Sequence, residues 1–321
     1  MSGSVTYLES IVIGLVQGVT ELFPVSSLGH AVLIPAFVGG SWASTMSLTA
    51  SQSPYLALVV ALHVATAAAL LLYFRREWVR VVKGLISSIR NREIRTPYEK
   101  LAWLLVIGTV PVGIAGLVLD KVLQQQLGKP VFAGVFLTFN GLLLFAAERL
   151  RSAQKPKTGR ATAGGGGERR KSSAAPVPEL DKRGRELPPE IASDVRLSRL
   201  DRKTAAALGA AQILGLFPGL SRSGSTIVAG LFKGLHHEDA ARFAFLLATP
   251  VILLAGLYKL PELAEPANSA IIGPAIAGSV TAFIAAYVSV RFLTKYFETR
   301  TLTPFAIYCV VVGLVSVCYF A

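Results

Sequence analysis

A chain of 321 residues with 52% apolar and only 16% charged residues, and a mean hydropathy of +0.55, lies far from the balance of a water-soluble domain and reads as a membrane protein. Its net charge of +13 is not a nucleic-acid footprint, because the basic residues fill gaps between apolar runs and are not set on a polar domain among aromatics. Cys309 and Cys318 share the last apolar run, about 13 Å apart if it is helical, which is too far for a disulfide and leaves them as packing residues.

In chain order, the opening MSGSVTYLES has neither a basic n-region nor a small-residue cleavage site, so no removable signal peptide is expected. Residues 8–38 form an apolar region interrupted by Phe23-Pro24 and two serines, and 204–235 form a second one interrupted by Phe217-Pro218. Proline lacks a backbone donor and disfavours helix just before it, so each region is expected to be two short helices joined by a loop. Runs at 55–74, 101–119, 131–147, 243–260, 271–290 and 304–320 approach the ~20 apolar residues that a bilayer crossing needs. Residues 151–203 carry the run GGGGERRK, several prolines, many charges and few large apolar side chains. That composition predicts a disordered, basic cytoplasmic linker between a first membrane repeat, 1–150, and a second, 204–321. Gly164 to Gly167 within it are no phosphate loop, since no strand precedes them and no Gly-Lys-Ser/Thr follows.

Charge counting assigns the sides. The gaps 75–100, 151–203, 233–242 and 291–304 hold eight, fourteen, two and three Lys/Arg, against two in 119–130, one in 259–270 and none in 39–53. The positive-inside rule puts the first four in the cytoplasm and the last three outside. Region 204–235 then has basic flanks on both sides and 8–38 has none on either, so each is expected to return to the side it entered from. A kinked full span would leave one flank on the wrong side. Leu22-Phe23-Pro24 and Ser27 recur 194 residues later as Leu216-Phe217-Pro218 and Ser221. Together these features predict an all-α polytopic membrane protein with six transmembrane helices and two re-entrant helix-loop-helix regions, arranged as an inverted repeat whose loops meet near the bilayer centre. Irregular backbone at that depth is tolerated only where protein or water satisfies it, so the loop tips are expected to line a cavity.

The polar residues concentrate at these breaks. Gln17 and Glu21 lie one helical turn apart on one face, a spacing that could offer two oxygens to a hard cation such as Mg²⁺. The structural alternative is a carboxylate paired with an Arg. Ser26 stands where a second short helix begins and is an N-cap candidate. Ser27 has His30 three residues on, a spacing suited to a nucleophile and its proton-transfer partner. In PGLSRSGSTI, residues 218–227, Arg222 is the only charged side chain between Thr204 and Phe232. Its planar fork matches phosphate oxygens, and Ser221, Ser223, Gly224 and Thr226 at the start of the following half-helix complete a candidate anion site with Ser26. A counter-ion role toward Glu21 is compatible with that reading. His63 and Asn140, each inside a full span, are expected as inter-helix hydrogen-bond partners, and His236 and His237, beside Glu238 and Asp239, as solvated residues.

QGVTELFPVSSLGH and PGLSRSGSTI resemble the two signature regions of the bacterial undecaprenyl-diphosphate phosphatase family of the bacitracin-resistance type. The resemblance extends to FAFLLATPV at 243–251 and PFAIY at 304–308, and covers roughly 1–150 and 204–321. It implies an inner-membrane enzyme that removes the terminal phosphate of undecaprenyl diphosphate, supplying the monophosphate carrier for peptidoglycan synthesis and conferring bacitracin resistance. The family pattern of Glu or Gln, three residues, then Glu falls on Gln17 and Glu21, its serine and histidine on Ser27 and His30, and its second motif on Ser221, Arg222 and Ser223. Catalytic roles are thereby implied for Glu21, Ser27, His30 and Arg222. A divalent metal, Mg²⁺ or Ca²⁺, is implied at Glu21 and Gln17, although Gln at 17 removes one carboxylate. The expected partners are the lipid substrate and membrane lipids, with no nucleic acid and with a homodimer as one assembly to test. The site is expected to open to the external side. A polyprenyl-phosphate transporter or flippase is the competing class, because inverted repeats with broken helices also build transport sites.

Overall fold

A computed structural model describes residues 5–46, 54–154, 179–180, 184–263 and 270–321. Among the described residues the fold is helical, with no strand beyond one isolated bridge, Leu180 to Glu186. Six helices among the described residues are long and apolar enough to cross a membrane: α4 (Pro54–Tyr73), α6 (Pro97–Leu127), α7 (Pro130–Gln154), α11 (His237–Leu263), α12 (Ile272–Thr299) and α13 (Thr303–Phe320). They coincide with the six runs read from sequence and overrun several of them. At α6 the reason is local. Thr96 and Glu99 form a reciprocal capping box with Pro97 in the first turn, which starts the helix before its apolar stretch begins.

The remaining elements place the site. The first broken region is α1 (Tyr7–Thr20) followed by α2 (Ser27–Val38), after which comes the short α3 (Gly40–Thr45). The second is α9 (Arg202–Ala211), a 3₁₀ turn η1 (Gln212–Leu216) and α10 (Arg222–Phe232). Both breaks lie at the Phe-Pro steps. Helix α1 lies against α12 with almost no gap, since a Cβ on Gly18 would sit 2.4 Å from the Ala282 carbonyl oxygen. Backbones that close are how helices associate in lipid, where no hydrophobic drive brings them together.

The expectation of a structureless 151–203 is corrected in part. Residues 155–178 and 181–183 lie outside the described residues, but α8 (Pro189–Ser198) is a packed helix with Ser193, Asp194 and Leu197 fully buried. Composition misleads here because the charges that suggest solvation meet opposite charges on two other helices. Asp194 accepts from Arg242 Nε of α11 at 2.9 Å, and Arg242 also reaches Glu77 at 3.2 Å. Glu77 lies on α5 (Arg75–Asn91). Arg196 grips Asp239 through two bonds of 2.7 Å, and Ser193 donates to the same carboxylate at 2.6 Å. Burial raises the Asp194 carboxyl above the ordinary aspartate range, and the Arg242 and Arg80 guanidiniums act against that rise. Asp194→Ala therefore leaves a buried guanidinium short of its partner and is expected to destabilise the protein by about 3 kcal/mol, read as a lowered unfolding midpoint in detergent. Of His236 and His237, expected to be solvated, His237 is instead partly buried and paired. His237 pairs with Glu148 at 2.6 Å and contacts Arg151, while Asp239 is 1% exposed.

Candidate active site

The two breaks meet. Ser26 has a left-handed backbone, φ 69°, a conformation costing a non-glycine residue about 1–3 kcal/mol. It is held there because its hydroxyl oxygen accepts from Gly29 N at 3.2 Å and, from the other loop, Gly219 N at 3.1 Å. Gly219 has φ 105°, and a Cβ on it would stand 2.3 Å from the Ala133 carbonyl oxygen, so the position has room for glycine alone. Asn140, fully buried on α7, ties the loops a second time. Its amide nitrogen donates to Pro24 O at 2.9 Å and its oxygen accepts from Ser221 N at 3.0 Å.

Around this junction Glu21, 7% exposed at the end of α1, collects donors from four helices, α1, α2, α4 and α10. Its Oε2 takes Gln17 Nε2 at 2.9 Å, Ser27 Oγ at 2.6 Å and His63 Nε2 of α4 at 3.3 Å. Its Oε1 takes Arg222 Nη2, which is brought in by the first turn of α10. Ser27, His63 and Arg222 remain partly exposed while Glu21 and His30 are buried, so the hydroxyl, the imidazole and the guanidinium are the exposed parts of the cluster. Arg222 presents five N–H groups in a fixed fork, of which one holds Glu21.

The site residues read from sequence divide into two groups. Gln17, Glu21, Ser27 and Arg222 converge. Ser221 caps α10 by accepting from Gly224 N at 3.0 Å, and Ser223 bonds Ser221 at 3.1 Å and reaches the Glu21 carbonyl at 3.5 Å, which places all three beside the cluster. Ser26 is spent on the two backbone donors, and Thr226 bonds the Arg222 carbonyl at 2.9 Å. His30 does not face the Ser27 hydroxyl, which goes to Glu21 instead. Its Nδ1 lies 2.7 Å from the Ser26 carbonyl, an atom that can only accept, so that nitrogen carries the proton. Its Nε2 accepts from the Tyr308 hydroxyl, also at 2.7 Å.

Sequence reasoning gave no role at the site to His63, Tyr308 or Asn140. Asn140 is the inter-helix bonding residue it was read as, here joining both loops. His63 lies between helices as that reading expects, with its Nε2 3.3 Å from the Glu21 carboxylate and its Nδ1 donating to the Val59 carbonyl at 2.7 Å. A histidine inside an apolar span was the available signal. Tyr308 had only its place in PFAIY.

The donor set bears on the metal. Four donors already engage the two oxygens of the one carboxylate here, and among the described residues no group of three or more His, Cys, Asp or Glu could hold an ion. The side chains alone do not fit a resident divalent cation.

The family model described as bacitracin resistance protein BacA matches residues 10–315. The chain is 54% identical over 321 residues to the undecaprenyl-diphosphatase of Mycolicibacterium paratuberculosis, covering 100% of this chain and 99% of that one. It is 50% identical over 337 residues to undecaprenyl-diphosphatase 2 of Frankia alni, with 98% of each covered. With undecaprenyl-diphosphatase 2 of Chromobacterium violaceum it shares 38% identity over 316 residues, covering 97% and 98%.

Proposed function

We propose, because this chain belongs to the bacitracin resistance protein BacA family, that it is a multi-pass membrane phosphatase which hydrolyses undecaprenyl diphosphate to undecaprenyl phosphate and inorganic phosphate. The observation that carries the reading is the constellation of Glu21, Ser27 and Arg222, assembled from two chain breaks. The reading extends to the cell, where regenerating the monophosphate carrier in the inner membrane serves peptidoglycan synthesis and lowers sensitivity to bacitracin. It also takes 1–150 and 204–321 as two inverted membrane repeats, with 8–38 and 204–235 re-entrant and the head-group site open to the external side.

The roles follow from charge. Phosphoryl transfer depends chiefly on positioning and on neutralising spreading negative charge. Arg222 and the first N–H groups of α10 receive the terminal phosphate, with Ser221 and Ser223 at the same helix start. Ser27 attacks the terminal phosphorus and its proton passes to Glu21, the base within hydrogen-bond reach. The phosphorus–oxygen bond to undecaprenyl phosphate breaks and that lipid leaves. The leaving lipid phosphate takes that proton from Glu21; water then attacks the phosphoserine and gives a proton to Glu21, and the phosphorus–oxygen bond to Ser27 breaks as the serine oxygen takes the proton back, freeing phosphate and the Ser27 hydroxyl. His63 keeps the Glu21 carboxylate in place when Arg222 turns to the phosphate. His30 and Tyr308 brace the turn by holding the Ser26 carbonyl. A divalent cation, Mg²⁺ or Ca²⁺, belongs in this reading to the substrate, as the counter-ion of the diphosphate.

Phosphate release from undecaprenyl diphosphate by the purified protein in detergent is the test. Release is expected, is expected to stop with a chelator, and to return on adding Mg²⁺ or Ca²⁺. Flux of polyprenyl phosphate across vesicles with no phosphate released would replace the phosphatase with a transporter. Undiminished release in chelator would remove the cation from the substrate.

A further inference from the structure

Helix α5, between the first two spans, has two unlike faces. Its inner face is buried, with Glu77 6%, Val81 3% and Ser88 4% exposed. On the outer face Val79, Val82, Ile86 and Ile89 are 53%, 47%, 60% and 58% exposed, at spacings of three and four that make one stripe. Arg76, Lys83 and Arg90, each exposed and recurring every seven residues, run as a second stripe beside it. A bare apolar stripe of this kind facing water would be a liability, and five Lys/Arg in 17 residues forbid a crossing.

Its placement says what covers the stripe. Only Phe74, whose backbone is not helical, separates the end of α4 from the start of α5, so α5 begins where a span ends. Its contacts with α6 run crosswise. Arg80 lies over the Tyr98 ring at 5.1 Å, Ser87 donates to Glu99 at 2.9 Å, and Trp103 donates to Ser88 at 2.9 Å. A helix returning antiparallel to α5 would carry Trp103 back toward Arg80, whereas it sits at the far end. Helix α5 thus lies across the first turns of the next span, at the level where both spans meet the membrane boundary, with Trp78 on it and Trp103 of α6 beside it, as indoles commonly are at that level.

We infer that the outer face of α5 is a docking surface for the anionic phospholipid head groups of the leaflet that α4 leaves and α6 enters. The apolar stripe beds between the acyl chains and the basic stripe pairs with phosphates. Positive charge on one edge and an exposed apolar row on the other complement a negatively charged lipid surface better than any neutral one. The inner face of the same helix supplies Glu77 and Arg80 to the ion pairs that seat α8.

The test uses the full chain in nanodiscs of phosphatidylglycerol and phosphatidylcholine. Spin labels at Val82→Cys and Ile86→Cys are placed in a Cys318→Ser background, because Cys318 is exposed and Cys309 buried. Both labels are expected to be more accessible to dissolved oxygen than to an aqueous nickel chelate. Water-like accessibility at both would overturn the inference. The triple variant Arg76→Gln, Lys83→Gln, Arg90→Gln is expected to lower the enrichment of phosphatidylglycerol over phosphatidylcholine around the protein roughly tenfold, with phosphate release in detergent unchanged. Equal enrichment in wild type and variant would remove the head-group pairing. Should the triple variant fail to fold, no wild-type preference for phosphatidylglycerol would overturn it equally.

Discussion

Replacing Arg222 by alanine is expected to reduce phosphate release from undecaprenyl diphosphate roughly 10³-fold, about 4 kcal/mol of transition-state stabilisation. The guanidinium is the one permanent cation brought to Glu21 from the opposite loop, and in the proposed mechanism it meets the charge that spreads over the transferring phosphoryl oxygens. Its removal also leaves Glu21 with three donors where it had four, so the unfolding midpoint must be measured beside the rate to separate lost chemistry from lost fold. Arg222→Lys keeps the charge but loses the fork, and is expected to fall between wild type and alanine. A protein lacking Arg222 that folds and retains most of its activity would end the assignment.

Glu21→Gln is expected to lower kcat by roughly 10³-fold while KM stays level or falls. The amide keeps the size of the side chain but cannot take the Ser27 proton. Losing the carboxylate also releases Arg222 from its resting partner to the substrate, which sets the sign expected for KM. Ser27→Ala is expected to cost about as much, and the double variant no more than either alone, because residues that act as one unit are not additive. A phosphoserine trapped at Ser27 would establish the covalent route. A Ser27→Ala protein slowed only a few-fold would instead assign the attack to water, with Ser27 as a phosphate ligand.

Much of this arrangement is legible in the chain. The six spans follow from apolar runs that nothing but a bilayer explains, and both breaks follow from proline, whose effect on the backbone is local. Gln17 and Glu21 are one turn apart, so the helical period alone makes them neighbours, and their bond is found. Short-range spacing was less reliable where more than one partner competed. Ser27 and His30 are just as close in sequence, yet the serine hydroxyl takes the charged acceptor, Glu21, and the imidazole takes a carbonyl and the hydroxyl of a tyrosine 278 residues away. Composition alone does not show the packing of α8, because its charges only become burial-compatible beside Arg242 and Glu77, which no local window contains.

By itself, then, the sequence determined the membrane class, the positions of the two breaks and the residue types gathered at them, since hydropathy, proline and the helical period act within a few residues of chain. The tertiary structure decided which of those residues work together. Arg222 meets Glu21 across 201 residues, His63 reaches the same carboxylate from a third helix, and Asn140 sets the distance between the loops. These contacts depend on how closely α1, α4, α7 and α10 pack, and in lipid that is set by the shapes of small residues meeting across the helices.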